Sequence, residues 1–295
     1  MSTLPNKPTV PIVPIVPIVP IVPSMSTISA VPVSYLFVPG SRPERFDKAM
    51  AAGADVVIID LEDAVSPVDK DSARASVAAW LSADKPICLR INTPETEWFA
   101  ADLALCAHPG VAAVMLPKAA QVADIERLRK AGAQRVLLLI ESAQGFMNLS
   151  ALAAAEGVER LAFGSIDFAV DLGIEGDDRE LDYFRSQLVL TSRVAGIAPP
   201  IDGVTTAIDD TTLLASETLR GQRFGFGGKL CIHPAQLAVI HSSYLPQASE
   251  VAWAERVLAA AAGSQGAAVA VDGKMVDRPV ILKAERILAR AGRAA

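Results

Sequence analysis

Eight short apolar runs recur along the chain, at 35–38, 56–61, 87–91, 113–116, 136–140, 161–163, 201–204 and 229–232, most of them separated by Ala-rich stretches of helical character. Runs such as Val56-Val57-Ile58-Ile59 and Val136-Leu137-Leu138-Leu139-Ile140 carry no polar residue on either face. A strand with one wet face alternates apolar and polar positions, so these strands are expected to be covered on both sides, as in a parallel sheet. Their regular alternation with helices predicts repeated βα units. Eight units in about 210 residues fit the compact form of a TIM (β/α)8 barrel, α/β in class, with a doubly wound open sheet as the alternative. In such a barrel the catalytic groups gather where strands run out into the following loops. Here those ends carry Glu62, Arg90, Lys118, Glu141, Asp167 and His233.

The pattern divides the chain into a tail (1–30), a barrel (31–245) and a C-terminal segment (246–295). Pro11 to Pro23 repeats Pro-Ile-Val with a period of three, which forbids a helix and therefore both a spanning helix and the apolar stretch of a signal peptide. It reads as a polyproline-like tail or, alternatively, a docking segment for a partner. Beyond the barrel, a helix around 250–261 is followed by a Gly-rich joint at 263–266 and a hairpin over 267–276 that ends at Asp277.

With 51% hydrophobic and 20% charged residues, the 295-residue chain can bury a large core in one main domain. A net charge of −6 leaves no broad basic surface, so a nucleic acid partner is not expected, and neither is a membrane. Any polyanion must be held locally. Cys88, Cys106 and Cys231 lie on or beside buried runs with no ligand spacing, and read as small core residues of a protein in the reducing cytoplasm.

Ser41 followed three places later by Glu44 is a capping-box pattern. A helix starting there would aim free N–H groups at the barrel mouth, with Arg42 beside it and Lys48 two turns on, which makes either an anion site or an ordinary capped surface helix. Asp60, Glu62 and Asp63 crowd one strand end and need cations or hydrogen-bond donors to relieve their repulsion. Arg90 sits in an apolar strand pattern, and so costly a buried charge needs a partner. That partner is Glu62 or Asp60, or else a substrate oxyanion; the carboxylate cluster opposite points to the second. Glu141 and Asp167, read as ending the fifth and sixth strands, offer two oxygen ligands with no His or Cys nearby, which suits a hard cation such as Mg²⁺ and disfavours zinc.

In order, LFVPGSRPERFDKA, VVIIDLEDAV, LRIN, Pro117-Lys118, IESAQG, FGSIDFAVDLG and GFGGKLCIHPAQ resemble the citrate lyase beta-subunit-like family of the HpcH/HpaI aldolase superfamily, which includes malyl-CoA and citramalyl-CoA lyases, over about residues 34–290. The resemblance implies a TIM barrel that cleaves or forms a carbon–carbon bond next to a coenzyme A thioester with the help of Mg²⁺. By the same resemblance Glu141 and Asp167 match the metal ligands, and Arg90 the substrate-binding arginine. Glu62 stands behind Arg90 and the metal, while Phe37, Arg42, Lys48, Ile166, Ile232 and His233 match the CoA and substrate channel. His233, a His before Pro at a strand end, is as much a turn constraint as a base. The C-terminal segment resembles a small lid whose acidic residue, here Asp277, completes the active site of a neighbouring subunit, so a homo-oligomer of three or a multiple of three is expected; the alternative is that Asp277 is a hairpin residue paired with Arg278 or Lys274. Ser142, Ala119-Ala120 and the proline tail depart from the family pattern, which leaves the identity of the acyl group open. The rival readings are a citrate lyase beta subunit acting on an acyl-carrier-protein thioester, a non-catalytic CoA-ester-binding protein, and an aldolase acting on free oxo-acids.

Overall fold

The computed structural model describes residues 31–176, 178–263 and 269–292, so the Pro-Ile-Val tail, residues 264–266 of the expected joint and the first two residues of the expected hairpin lie outside the described residues. Eight parallel strands close into a barrel in chain order: β1 (Ser34–Pro39), β2 (Val56–Asp60), β3 (Ile87–Arg90), β4 (Val111–Leu116), β5 (Val136–Ile140), β6 (Val158–Phe163), β7 (Ala198–Asp202) and β8 (Gly228–Cys231). β8 pairs with β1, through Ser34 opposite Lys229 and Leu36 opposite Cys231, and completes the ring. The open-sheet alternative is thereby excluded.

β5 shows why its run is apolar on both faces. Leu137 and Leu139 pack inside the barrel with Tyr35, Ile58, Cys88 and Met115, while Val136, Leu138 and Ile140 belong to the outer layer beneath the helices. Alternate residues feed two cores, so neither set can be polar. β7 begins three residues before the expected 201, at Ala198, because Pro199 and Pro200 disguise a strand. Proline donates no ladder hydrogen bond, and the register with β6 shifts there, from Arg160 opposite Ala198 to Ala162 opposite Ile201.

The N-terminal end of the barrel is plugged by Arg160, which is fully buried. Its Nη1 donates to Pro32 O (2.8 Å) and to the Tyr35 hydroxyl (2.7 Å), and its Nε to Pro199 O. A Cβ at Gly227 would lie 2.7 Å from Arg160 Nη2, so glycine there leaves room for the guanidinium.

Beyond the barrel, the helix Ala248–Gly263, an antiparallel hairpin of β9 (Val269–Val271) and β10 (Lys274–Val276), and the helix Arg278–Ala291 form a unit with its own core of Ala254, Val257, Val276, Ala284 and Ile287. Among the described residues no helix is long and apolar enough to cross a membrane.

Candidate active site

The C-terminal end of β2 is built around Asp60. Its Oδ1 accepts from Glu62 N (2.8 Å) and its Oδ2 from Ala64 N (3.1 Å), which curls the chain back over the strand end. The same two oxygens take Arg90 Nε (2.7 Å) and Nη2 (2.6 Å) in a bidentate fork. Backbone pairing runs one residue past the strand, with Leu61 N donating to Arg90 O at 2.8 Å. The guanidinium also lies 4.7 Å from the centre of the Phe37 ring. Asp60 is therefore the partner that Arg90 demands, and only the Nη1 corner, which makes no hydrogen bond among the described residues, is left for other work. Burial opposes the charge of Arg90, but Asp60 and, less strongly, Glu62 and Glu141 outweigh it and hold the guanidinium protonated.

Glu62 lies on that corner. Its Oε2 is 3.0 Å from Arg90 Nη1 but outside hydrogen-bond geometry, and neither carboxylate oxygen of this 5% exposed residue has a hydrogen-bond partner. Burial, offset in part by Arg90, pushes its carboxyl up from 4.5 to about 7.

Glu141 follows β5 directly. Its Oε1 accepts from Lys118 N at 2.6 Å, a contact made with Lys118 in the left-handed region (φ 45°) at the end of β4. Burial first, then the negative charge of Glu62, raise its carboxyl well above the usual carboxylate range, and Asp167 adds to the effect. Glu62, Glu141 and Asp167 thus share one region of the barrel mouth. Asp167 does not end a strand: β6 stops at Phe163, and Asp167 stands in the first turn of the helix Ser165–Leu172. A Cβ at Gly164 would lie 2.6 Å from both Cβ and Oε2 of Glu141. Gly164→Ala is accordingly expected to displace the Glu141 carboxylate and lower Mg²⁺ affinity by about 10- to 100-fold. Titration calorimetry of the folded variant checks this, and native affinity would remove Gly164 from the site.

This arrangement fits a hard cation. Two orphaned oxygens on Glu62 and three mutually repelling carboxylates are short of positive charge, and the donors are all oxygen. Among the described residues no three acidic, imidazole or thiol groups enclose a metal by themselves. Glu141 and Asp167 would hold Mg²⁺ with water or substrate filling the remaining positions, as that ion tolerates.

The remaining expected residues are spread around this centre. The helix after β1 has no capping box: a 3-10 turn (Pro43–Arg45), with Arg42 at its N-cap position and no side-chain cap, precedes the helix Phe46–Met50, and Glu44 accepts from Arg42 Nε at 2.6 Å. Pro43 makes the tight turn, and the neighbouring cation claims the glutamate that a box would use. Arg42 and Lys48 are both exposed, as are Ile166, Ile232 and His233. His233 Nδ1 accepts from Ala235 N, while Gln236 Oε1 accepts from the backbone N–H of Ile232 and His233, which makes His233 a turn cap. Asp277 caps the helix Arg278–Ala291, accepting from Val280 N at 3.1 Å.

A cavity of 320 Å³ lies to one side, lined by Ile166, Arg185, Asp202, Glu217 and Lys229 and not by Arg90. Its buried charges are matched internally, Arg185 with Asp202 (3.4 Å) and Lys229 with Glu217 (3.7 Å). Sequence reasoning offered Asp60 as one of two possible partners of Arg90, and the structure selects it; the Lys118 N–H and Gly164 were passed over. A glycine directly after a buried strand was the available signal for the last.

The family model for HpcH/HpaI aldolase/citrate lyase matches residues 33–234, which include all eight barrel strands. The chain belongs to that family. A model described as a carbon–carbon bond lyase of the TIM-barrel fold matches residues 181–293. A citrate lyase subunit beta-like protein of Mycobacterium tuberculosis is 37% identical over 267 residues, 88% of this chain and 96% of that one. A (3S)-malyl-CoA thioesterase of Cereibacter sphaeroides is 34% identical over 269 residues, 88% and 94%. Among solved structures, CitE of Mycobacterium tuberculosis in complex with magnesium, acetoacetate and coenzyme A superimposes with a TM-score of 0.81 at 36% identity, covering 89% of this chain and 99% of that one.

Proposed function

We propose that this member of the HpcH/HpaI aldolase/citrate lyase family is a Mg²⁺-dependent carbon–carbon lyase that cleaves, or in reverse forms, a 3-hydroxyacyl-CoA such as malyl-CoA or citramalyl-CoA. The observation that carries the reading is the meeting of Arg90, Glu62, Glu141 and Asp167 at one barrel mouth, where the three carboxylates lack enough positive charge. The magnesium, acetoacetate and coenzyme A held by the solved Mycobacterium tuberculosis relative supports it.

In cleavage the 3-hydroxyl loses its proton to a base and C3 becomes the carbonyl carbon of the oxo-acid. The electron pair of the broken C2–C3 bond passes to the thioester as an enolate, and a proton delivered to C2 completes the acyl-CoA. When bound at Glu141 and Asp167, magnesium supplies Lewis-acid polarisation of the oxygens on the departing oxo-acid. Arg90, already oriented by Asp60 and Phe37, directs its Nη1 corner at developing oxyanion charge. Glu62 holds that corner in place, and Arg42 and Lys48 attract the anionic CoA. Asp277, brought from a neighbouring subunit of a trimer or a multiple of it, exchanges the proton at C2 under a lid that excludes water.

Malyl-, citramalyl- and citryl-CoA offered with Mg²⁺ test the reading, with oxo-acid and free thiol followed together. Oxo-acid without thiol supports a lyase. Thiol release is the second reading, favoured by the 34% identical malyl-CoA thioesterase, and no turnover of any ester overturns both. Because Asp277 also caps a helix, Asp277→Ala mixes a lost base with a lost cap worth about 1 kcal/mol. Asp277→Ser keeps the cap and is expected to keep its melting temperature but lose most of its turnover. Mixing it with an Arg90→Ala chain should restore part of the activity; a mixture that exchanges subunits and stays dead assigns Asp277 to its own barrel or to the cap alone.

A further inference from the structure

We infer that Lys70 is a positioning residue of this site: its ammonium fixes the turn after β2 on which Asp60 and Glu62 meet Arg90. The inference rests on the proposed reading of that site and extends it to a residue that touches none of the reacting groups.

Lys70 opens the helix Lys70–Trp80 and is 6% exposed. Its three N–H bonds are all used, on Leu61 O (2.8 Å), Glu62 O (2.7 Å) and Asn92 Oδ1 (2.6 Å). The ammonium also sits 5.1 Å from the centre of the Trp98 ring. None of its hydrogen-bond partners is a carboxylate. A buried charge with only neutral acceptors is costly, and this one is placed within the field of Asp60, Glu62, Asp102 and Asp63. It therefore does two things at once: it ties down two consecutive carbonyls of the acidic turn and it adds a second positive charge, after Arg90, to the field of that cluster.

The tie does not end at Lys70. Asn92, two residues beyond Arg90, donates its backbone N–H (2.8 Å) and its Nδ2 (2.7 Å) to Asp102 Oδ2, and Asp102 Oδ1 accepts from Arg74 Nε at 2.7 Å. Arg74 lies one turn after Lys70 on the same helix. Lys70, Asn92, Asp102 and Arg74 thus close a ring that clamps the ends of β2 and β3, the two strands that carry Asp60 and Arg90. Bidentate pairing tolerates little displacement, so the ring sets how the Nη1 corner of Arg90 faces Glu62.

The test compares Lys70→Met, Asn92→Ala and the double variant by amide exchange over residues 61–64 and by kcat and KM for the ester that the wild type turns over. In Lys70→Met, exchange over 61–64 should accelerate at least about 10-fold while β5 stays protected, and kcat should fall about 10- to 100-fold with KM little changed. The double variant should fall no further than Lys70→Met, because both act through one ring. Native exchange over 61–64 overturns the inference, as does loss confined to KM or additive losses in the double variant. If Lys70→Met does not fold, exchange over 61–64 in Asn92→Ala decides in the same way. A wild type that turns over no ester sinks the proposed chemistry, and the exchange comparison still decides whether Lys70 holds the turn.

Discussion

Glu141→Gln is expected to abolish Mg²⁺-dependent turnover, by on the order of 10³-fold, and at the same time to make the metal-free protein more stable at neutral pH. Both effects have one cause. Burial and the neighbouring acids hold the Glu141 carboxyl well above its usual range, so its charged form is unfavourable until a cation arrives. Glu62 behaves likewise, with its carboxyl raised from 4.5 to about 7. A folded state that binds its proton more tightly than the unfolded chain loses stability as pH rises between the two values, here from about 4.5 to about 7 for Glu62, at a cost on the order of 3 kcal/mol. Metal-free protein should therefore melt lower at pH 8 than at pH 5.5, and Mg²⁺ should raise the melting temperature more at pH 8. The Gln variant should show a flatter pH dependence and a weaker response to Mg²⁺. Turnover that survives in the variant and is still blocked by a chelator would move the metal away from Glu141.

Arg90→Lys is expected to lose most of the rate, by about 10²-fold or more, although it keeps the charge. Asp60 takes Nε and Nη2 together, and the centre of the Phe37 ring lies 4.7 Å from the guanidinium carbon. An ammonium can pair with one Asp60 oxygen or face the substrate, but it has no second edge to do both. Calorimetry should find CoA-ester affinity changed far less than kcat. A near-native rate would leave Arg90 as a fastening for Asp60 alone. Asp60→Asn, which keeps the shape but weakens the fork, should reproduce part of the loss.

Much of the fold was legible in the chain because strand periodicity and two-sided burial are local properties. Val136-Leu137-Leu138-Leu139-Ile140 needs no partner to declare that both its faces are covered, and β5 spans those residues in the structure. The apolar pattern shortens β7 because Pro199 and Pro200 mimic a loop, and only the shifted register with β6 accommodates them. The capping box at Ser41 is absent because the turn starts one residue later, with Arg42 at the N-cap position, and Arg42 takes the Glu44 carboxylate.

The sequence by itself determined the eight apolar runs and their order, the polar residues at their ends and, through its motifs, the family. Tertiary structure alone decided that Asp60 occupies one edge of Arg90, that Glu62 keeps two unsatisfied oxygens, that Asp167 rides on a helix, and that Lys70 reaches back to the carbonyls of Leu61 and Glu62. The division is physical. Burial of a strand is set by its own alternation, but the partner of a buried charge is set by the register between strands and by which of several acids lies within hydrogen-bond reach once the barrel has closed.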